Sequence, residues 1–394
     1  MDLNYDELFK ISIWALKINR SYPTIPNDKI WFLTMIPMHG FFFFIFCLLL
    51  NSTICHDLKN NNFSAACTNG IFAVLFFVVT FNYTVLFIKK HDIITAIKRV
   101  KRDYEAAKLL PEEEQAIVVQ YAKAANWVTR VWALTSCITF SSFPMITVIR
   151  FIYYYWIGEF KLVFMYDMTY PEAIETRKNN VSMYFFLLFA HTYYGLYTLL
   201  MYVGFTPLGL IFMLHACGQL EIVKFRISNL FNGGRYEPKE IRERLKHIVM
   251  PLQEILEFVH LLKETFRVIY EVYMKATTIV FPIAFYEIIE SFKEGHGSFE
   301  YMTFIVAGSV LCFASCYYSD LLMEKGDSVR LSVYTSGWEC HPDSGMRRTL
   351  LITLSRLERD VAIRTLFRTV NLDAFSELCH QSYALFNLIN AAWN

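Results

Sequence analysis

Long apolar stretches alternate with charged stretches along the whole chain. Six of them hold at least 18 residues with few charged side chains: Trp31–Leu50, Ile71–Ile88, Val131–Ile157, Val181–Cys217, Val268–Ile289 and Tyr301–Met323. A helix needs about 20 apolar residues to cross a hydrocarbon core about 30 Å thick. Lipid offers no partners for backbone polar groups, so a spanning segment must be helical. The pattern therefore predicts an all-α membrane protein whose first six spans, together with any ligand pocket, occupy residues 31–323.

A seventh stretch, Val370–Trp393, mixes apolar residues such as Leu378 and Phe386 with polar ones such as Glu377 and His380. One interpretation is a soluble amphipathic tail. The other is a seventh transmembrane helix, and polar groups at membrane depth normally face a bundle interior or a water-filled path. We therefore predict seven spans, of which residues 370–394 form the one best suited to line a pore.

Basic residues are distributed unequally between the two sides that these spans define. The chain has 37 lysines and arginines. Thirty of them lie in the N-terminal segment and in the second, fourth and sixth connections between spans, whereas five lie in the first, third and fifth connections. Because basic residues accumulate on the cytoplasmic side, the sequence predicts a cytoplasmic N-terminus and an extracellular C-terminus. Residues 1–30 are expected to form a cytoplasmic amphipathic segment. The sequons at Asn62 and Asn180 fall in predicted extracellular loops.

Two cytoplasmic segments, 218–267 and 324–369, carry helical patterns of their own and are interpreted as anchor segments. Apolar residues follow one another at alternating steps of four and three, which is a heptad stripe: Ile241, Leu245, Ile248, Leu252, Ile255, Val259, Leu262 and Phe266. Leu350, Leu354, Leu357 and Val361 repeat that spacing. These stripes either pack within one subunit or also dock neighbouring subunits below the membrane.

Composition supports a membrane protein and excludes several other classes. Hydrophobic residues make up 55% of the chain and charged residues only 19%, which is respectively above and below the usual range for soluble domains. A net charge of +1 gives no general attraction for nucleic acid. Nine cysteines do not form a disulfide framework, although Cys55 and Cys67 share one predicted extracellular loop and could pair.

The sequence contains no Gly-x-x-x-x-Gly-Lys-Ser/Thr phosphate loop, no Gly-x-Gly-x-x-Gly dinucleotide motif, and no His-Glu-x-x-His or paired Cys-x-x-Cys metal motif. We therefore predict no enzyme activity, no cofactor and no metal. Apolar and aromatic residues within the spans together suit a pocket for a small apolar ligand, although most of them, taken singly, are expected to pack or face lipid. The candidate ligand-binding residues, with His191 or Tyr194 as polar anchor, are Phe76, Thr80, Met145, Ile149, His191, Tyr194, Phe281 and Phe285.

The last eighty residues resemble the C-terminal region of insect odorant receptors. The residues that carry the resemblance are Cys316, Tyr317, Glu324, Ser328, Tyr334, Trp338, Arg347, Arg348, Phe375, Ser382, Tyr383 and Phe386. Ala384 departs from the pattern, since many members have serine there. The related gustatory receptors remain an alternative, although the Thr-Tyr and Gln-Phe pairs of their last span are missing here. A G-protein-coupled receptor, which has its N-terminus outside, is a more distant alternative.

The resemblance implies the tuning subunit of an odorant-gated, nonselective cation channel. It implies a heterotetramer with the shared co-receptor in the plasma membrane of olfactory sensory neuron dendrites, and a small volatile odorant bound in the outer half of spans two to six. Span seven would line the pore, with Leu388, Ala391 and Ala392 as the gate. The cytoplasmic helices would join the subunits, with Leu252, Val259, Trp338 and Leu357 as the candidate anchor residues.

Overall fold

The computed structural model describes residues 3–159, 161–166, 168–231, 237–293, 298–341, 343–357 and 361–393. Within these ranges the chain is almost entirely helical, and its β-structure is limited to one bridge between Arg364 and Thr369. The prediction of an all-α fold is confirmed.

Twelve α-helices follow one another among the described residues. They are α1 Tyr5–Leu8, α2 Lys10–Ile18, α3 Lys29–Asn51, α4 Phe63–Ile88, α5 Lys90–Ala107, α6 Glu112–Ile157, α7 Glu172–Glu175, α8 Val181–Ser228, α9 Pro238–Lys293, α10 Phe299–Tyr334, α11 Ser344–Leu357 and α12 Leu372–Trp393. A π-helical segment, Ser52–Asp57, continues α3, and a short 3-10 turn, Trp338–Cys340, precedes α11.

Six of the described helices are long and apolar enough to cross a membrane, namely α3, α4, α6, α8, α9 and α10. Each contains one of the first six predicted spans, and four of them extend well beyond it. The 56 residues of α9, at about 1.5 Å per residue, measure about 84 Å, which is far longer than a hydrocarbon core of about 30 Å. The predicted helical extensions are therefore present, and α9 joins the heptad stripe and span five in one continuous helix.

The centre of the molecule is α8, which is buried almost without interruption from Val203 to Leu214. Glycines on α8 allow close contact with its neighbours, because a Cβ at Gly209 would lie 2.3 Å from the Tyr270 hydroxyl of α9. A Cβ at Gly218 would lie 3.2 Å from the Tyr121 side chain of α6. The remaining long helices are therefore arranged around α8.

The N-terminal segment lies against this centre. Ser12 Oγ of α2 donates a hydrogen bond to the Val203 carbonyl at 3.0 Å, and Leu16 is fully buried. On the opposite face of α2, Ile11, Trp14 and Ile18 are exposed. The predicted amphipathic helix therefore exists, and these three residues form its uncovered apolar face.

The heptad stripe is buried inside the single chain. All eight of its residues, from Ile241 to Phe266, are at most 5% exposed. In α11, Leu350 and Leu357 are buried in the same way. The stripes therefore pack within one subunit, and contact with a neighbouring subunit through them stays a prediction.

The nine cysteines are all unpaired in the structure. Cys55 is exposed and Cys67 is buried. The disulfide that the sequence allowed between them is not formed.

Candidate ligand-binding site

A cavity of about 140 Å³ lies between α4, α6, α8, α9 and α10. Its wall is made largely of apolar and aromatic side chains. The wall includes Phe72, Trp132, Ser136, Thr139, Phe140, Phe143, Met165, Tyr166, Tyr194, Thr198, Tyr202, Thr277, Phe281 and Leu311. No lysine, arginine, histidine, aspartate or glutamate is among the described residues on this wall.

The connection between α6 and α8 closes one end of the cavity. Met165 and Tyr166 of this connection are buried and lie on the cavity wall, and Met168 and Tyr170 are buried beside them. The Thr169 backbone N–H donates to Ser52 Oγ at 2.8 Å and fixes the connection to the end of α3. Burial raises the pKa of Tyr166, so its hydroxyl stays protonated at neutral pH.

Two polar side chains on the wall donate hydrogen bonds to the backbone of neighbouring helices. The Tyr194 hydroxyl donates to the Phe72 carbonyl at 2.6 Å, and Trp132 Nε1 donates to the Tyr202 carbonyl at 2.9 Å. These two bonds tie α8 to α4 and α6 around the cavity. The arrangement supports binding of a small, mostly apolar molecule rather than chemistry on a charged substrate.

Two of the eight predicted ligand-binding residues, Tyr194 and Phe281, lie on the cavity wall. His191 is buried behind it, with Nε2 3.0 Å from the Tyr170 hydroxyl. His191 Nε2 and the Tyr194 hydroxyl are thus engaged by the protein itself, whereas His191 Nδ1 is buried without a partner among the described residues.

The other predicted pocket residues lie outside the cavity. Phe76 stacks on Phe46 with ring centroids 4.0 Å apart, and Thr80 Oγ1 lies 3.4 Å from His39 Nε2. Met145 and Ile149 are both about half exposed on α6. Phe285 lies one turn beyond Phe281 on α9. The binding roles of all eight stay predictions.

Sequence reasoning did not identify most of the wall. Trp132, Phe143, Tyr202 and the hydroxyls of Ser136 and Thr198 are absent from the predicted set. Only the connection between α6 and α8 had a sequence feature that indicated burial. Its residues Met165, Tyr166, Met168 and Tyr170 are unusually apolar for a loop exposed to water.

The predicted pore-lining helix, α12, packs against α9 and α10. Ala374, Leu378 and Ser382 are buried in this contact. Leu388 is 67% exposed, and Ala391 and Ala392 are exposed with it, whereas Ile389 is only half-buried. The structure thus places the three predicted gate residues together on the face that this subunit leaves uncovered.

The four predicted anchor residues lie in the helical extensions. Leu252, Val259 and Leu357 are each 2% exposed. Trp338 is half-buried, and its Nε1 has no hydrogen-bond acceptor among the described residues. All four side chains therefore contact the interior of their own subunit, Trp338 from its edge.

A family model described as 7tm odorant receptor matches residues 62–383. No curated protein matches the chain. The structure of the insect olfactory receptor OR5 from Machilis hrabei in complex with eugenol is similar over 98% of both chains, with a TM-score of 0.78 and 12% identity. A second structure of OR5 from Machilis hrabei is similar over 98% of this chain and 99% of that one, with a TM-score of 0.77 and 11% identity.

Proposed function

The chain belongs to the odorant receptor family, and on that basis we propose that it is the odorant-binding, or tuning, subunit of a ligand-gated, nonselective cation channel. It is a multi-pass membrane protein of a receptor family. The proposed ligand is a small volatile odorant, and the proposed partner is the shared co-receptor in a heterotetramer.

The observation that carries the channel proposal is the polar, uncovered face of α12. The exposed residues of α12 are Leu372, Asp373, Ser376, Glu377, Cys379, His380, Tyr383, Ala384, Leu385, Asn387, Leu388, Ala391 and Ala392, and they include the ionisable side chains of Asp373, Glu377 and His380. Ionisable groups at membrane depth are costly in lipid and normally face water or another protein surface. If α12 crosses the membrane, as we propose, this face therefore borders a water-filled path that several subunits complete.

The proposed gate lies at the C-terminal end of this face. Apolar rings can close a pore by excluding water. Leu388, Ala391 and Ala392 share one side of α12 because Ala391 and Ala392 follow Leu388 at steps of three and four residues. When the corresponding helices of four subunits surround one axis, these side chains form such a ring.

The proposed ligand site is the cavity between α4, α6, α8, α9 and α10. The related Machilis hrabei receptor was solved with eugenol, a small organic molecule, and the apolar wall here suits the same kind of ligand.

The division of thirty basic residues against five supports a cytoplasmic N-terminus. It thus supports an extracellular position for the connection that closes the cavity. We extend the proposal to the plasma membrane of olfactory neuron dendrites.

The test is co-expression with a co-receptor subunit and whole-cell recording during a screen of volatile compounds. We expect at least one volatile to evoke a cation current that requires both subunits. A volatile response that needs a G protein and no channel current would assign the chain to a different receptor class. Saturable flux without ligand-gated single-channel events would assign it to the transporters. Loss of the response in Phe281→Ala, with an intact response to a co-receptor agonist, would support binding in this cavity.

A further inference from the structure

A surface cleft of about 460 Å³ lies between α9 and the loop 364–369, which precedes α12. This volume is within the range of about 300–1,000 Å³ that is usual for ligand sites. Among the nine described residues of its wall, Glu264 is the one acid and four are basic: Lys263, Arg267, Arg364 and Arg368. Four positive charges against one negative charge favour an anionic ligand.

The cleft lies at one surface of the membrane that the predicted spans define. Arg267 directly precedes the fifth predicted span, Val268–Ile289, and Thr369 directly precedes the seventh, Val370–Trp393. Both spans therefore begin beside the cleft. Under the proposed orientation this surface is cytoplasmic, and the cytoplasmic leaflet carries the anionic lipids.

The loop 364–369 presents apolar side chains beside these charges. The Thr365 backbone N–H donates to the Arg368 carbonyl at 2.8 Å. The backbone N–H groups of Phe367 and Arg368 donate to Thr365 Oγ1 at 3.3 and 3.1 Å. Thr365 is buried, whereas Leu366 is 44% exposed and Phe367 is 82% exposed. The loop is thus held in a compact shape from which two apolar side chains project away from the protein.

Hydrogen bonds attach this loop to α10 and α12. The Ile363 backbone N–H donates to Ser319 Oγ of α10 at 3.2 Å, and the Val370 N–H donates to the Ile363 carbonyl at 2.9 Å. Arg368 Nη1 donates to Glu377 Oε2 of α12 at 2.7 Å. A ligand in the cleft would therefore contact α9 on one side and the segment that positions the start of α12 on the other.

From this arrangement we propose that the cleft binds the phosphate-bearing headgroup of an anionic phospholipid. Arg267 and Arg364 are both exposed, and a guanidinium group can form paired hydrogen bonds with phosphate oxygens. Leu366 and Phe367 would enter the boundary between headgroups and acyl chains, where apolar side chains of membrane-surface segments are buried.

A soluble phosphate compound would match the charges of the cleft equally well. It would leave Leu366 and Phe367 in water, however, and this difference favours a lipid. The proposal rests on the proposed orientation in the membrane and is independent of the odorant cavity.

The experiment measures lipid binding to the purified full-length subunit in detergent. Dioctanoyl phosphatidylserine, dioctanoyl phosphatidylinositol bisphosphate and dioctanoyl phosphatidylcholine are compared, with inorganic phosphate and inositol trisphosphate as soluble phosphate probes. The ligand-induced rise in unfolding temperature reports affinity by linkage. The comparison of lipids on the unaltered protein needs no variant.

The charge variant combines Arg267→Gln with Arg364→Gln. Its matched control combines Lys123→Gln with Arg130→Gln, which also removes two positive charges. Both control residues are exposed on α6 and precede the third predicted span, Val131–Ile157, at the same proposed membrane surface but outside the cleft. The unfolding temperature without lipid identifies the variants that fold.

The apolar variant combines Leu366→Ser with Phe367→Ser, and it leaves every charge of the cleft in place. Its control combines Leu109→Ser with Leu331→Ser, at two leucines that are 90% and 62% exposed elsewhere on the protein. This pair of variants distinguishes a lipid from a soluble phosphate compound.

We expect both anionic lipids to bind more tightly than phosphatidylcholine, by a margin that shrinks at high salt because charges are screened. The charge variant should weaken binding of the anionic lipids by roughly ten- to thirtyfold, at about fivefold for each basic residue. The apolar variant should weaken lipid binding by roughly tenfold and leave binding of the soluble phosphate probes unchanged. Both control variants should retain the affinity of the unaltered protein.

The inference is overturned if phosphatidylcholine binds as tightly as the anionic lipids, or if the control charge variant weakens binding as much as the cleft variant. Soluble phosphate probes that bind as tightly as the lipids, with lipid binding unaffected by the apolar variant, would assign a soluble ligand and reject the lipid. Loss of co-purification with the co-receptor in the apolar variant, with normal lipid binding, would assign the loop to a subunit contact instead. None of these measurements uses an odorant or a channel current, so failure of this inference is distinguishable from failure of the proposed function.

Discussion

Phe285 of α9 and Phe386 of α12 meet edge to face, with ring centroids 6.3 Å apart and an angle of 65° between the rings. Phe285 also contacts Phe281, one turn earlier on α9, at a centroid distance of 6.5 Å. Because Phe281 lies on the cavity wall, three rings in succession connect the cavity with α12. The last of them lies two residues before Leu388, the first proposed gate residue.

This chain of rings predicts that Phe285 couples ligand binding to opening. A ligand shifts the equilibrium between the closed and open channel only as far as it interacts differently with the two states. A ligand that displaces the Phe281 ring on the cavity wall would move α12 through the contacts of Phe285 with Phe281 and Phe386. Phe285→Ala should lower the maximal odorant current relative to the co-receptor agonist current. It should change the ligand affinity of the purified complex by less than threefold, equivalent to about 0.7 kcal/mol. Dose–response recording and thermal-shift binding give the two quantities.

The matched control for this prediction is Phe185→Ala. Phe185 is an exposed phenylalanine on α8, and its ring contact is with the adjacent Tyr184. Its removal should leave both quantities unchanged. If Phe285→Ala reduces affinity and maximal current in proportion, Phe285 contributes to binding and not to coupling.

The gate prediction compares neighbouring residues on α12. Leu388 is 67% exposed on the uncovered face, whereas Ile389 is half-buried against the bundle. Leu388→Ser should hydrate the proposed constriction and raise the ligand-free current or change ion selectivity. Ile389→Ser should have the smaller effect on current and the larger effect on expression. Cysteines at positions 388, 391 and 392 should react with a water-soluble thiol reagent during odorant application, and lack of reaction at all three would place the pore elsewhere.

The sequence predicted the first six spans much better than it predicted the residues that line the cavity, and the reason is physical. Lipid tails and a binding cavity are both apolar, so hydrophobic periodicity does not distinguish the two faces of a membrane helix. On α6, Phe143 lies on the cavity wall while Met145 is half exposed, although both are large apolar residues. Only packing determines which of them faces inward.

On α12 the sequence contains both polar and apolar residues, so a helical pattern of polar and apolar positions can be recognised there. The spacing of Leu388, Ala391 and Ala392 predicted one shared face, and all three are exposed in the structure, while their role in a gate stays a prediction. Ser136 and Thr198 were beyond sequence reasoning for another reason. A serine or threonine in a transmembrane helix ordinarily bonds to its own backbone, and only the structure shows which do not, such as Thr206, which bonds to the Tyr273 hydroxyl, and Ser136 and Thr198, which have no partner among the described residues.

The proposed orientation predicts which tags are accessible. An epitope tag at the C-terminus should be labelled on intact cells, and one at the N-terminus should be labelled only after permeabilisation. The sequons give an independent check, since Asn62 and Asn180 are both exposed at the starts of α4 and α8. Removing either site should alter a glycosidase-sensitive mobility shift if these ends are extracellular. The reverse labelling pattern would reject both the orientation and the extracellular position of the closing connection.

A polar contact between α5 and α8 predicts a pH-dependent contribution to stability. Asp103 Oδ2 lies 3.1 Å from Nε2 of the buried His215, and Arg102 Nε donates to Asp103 Oδ1 at 3.0 Å. Burial raises the pKa of Asp103, but the hydrogen bonds and charges of His215 and Arg102 lower it by more, so the net pKa is below the usual value. Such a carboxylate stabilises the folded state above its unfolded pKa of about 3.9 and loses that contribution as the pH falls through its lower folded pKa.

Asp103→Asn should therefore reduce the free energy of unfolding at pH 7 by about 1–3 kcal/mol. The difference from wild type should shrink as the pH falls below about 3.9. Thermal unfolding of the purified protein in detergent at several pH values measures both effects. Asp6→Asn is the control, because Asp6 forms an exposed ion pair with Lys101 at 2.7 Å and exposed pairs contribute only about 0–1 kcal/mol. Equal losses in both variants at every pH would contradict the assigned role of the contact between Asp103 and His215.

Subunit assembly can be separated from subunit folding because the helical extensions carry both buried and exposed apolar residues. Leu252 and Val259 are buried within the chain, whereas Leu351 and Ile352 of α11 are each more than half exposed. A carboxylate at a buried position costs several kcal/mol without a partner. Leu252→Glu and Val259→Glu should therefore lower the folded yield of this subunit even when it is expressed alone.

Leu351→Glu combined with Ile352→Glu should leave the unfolding temperature of the isolated subunit nearly unchanged, since exposed substitutions usually alter stability by about 0.5 kcal/mol or less. The same double variant should lose co-purification with the co-receptor, because exposed apolar residues beside a polar helix face are typical of contact surfaces. Leu109→Glu, at an exposed leucine between α5 and α6, is the matched control and should retain the complex. If the α11 double variant co-purifies normally while Leu252→Glu alone prevents it, loss of the complex follows from misfolding, and the contact between subunits lies on another surface.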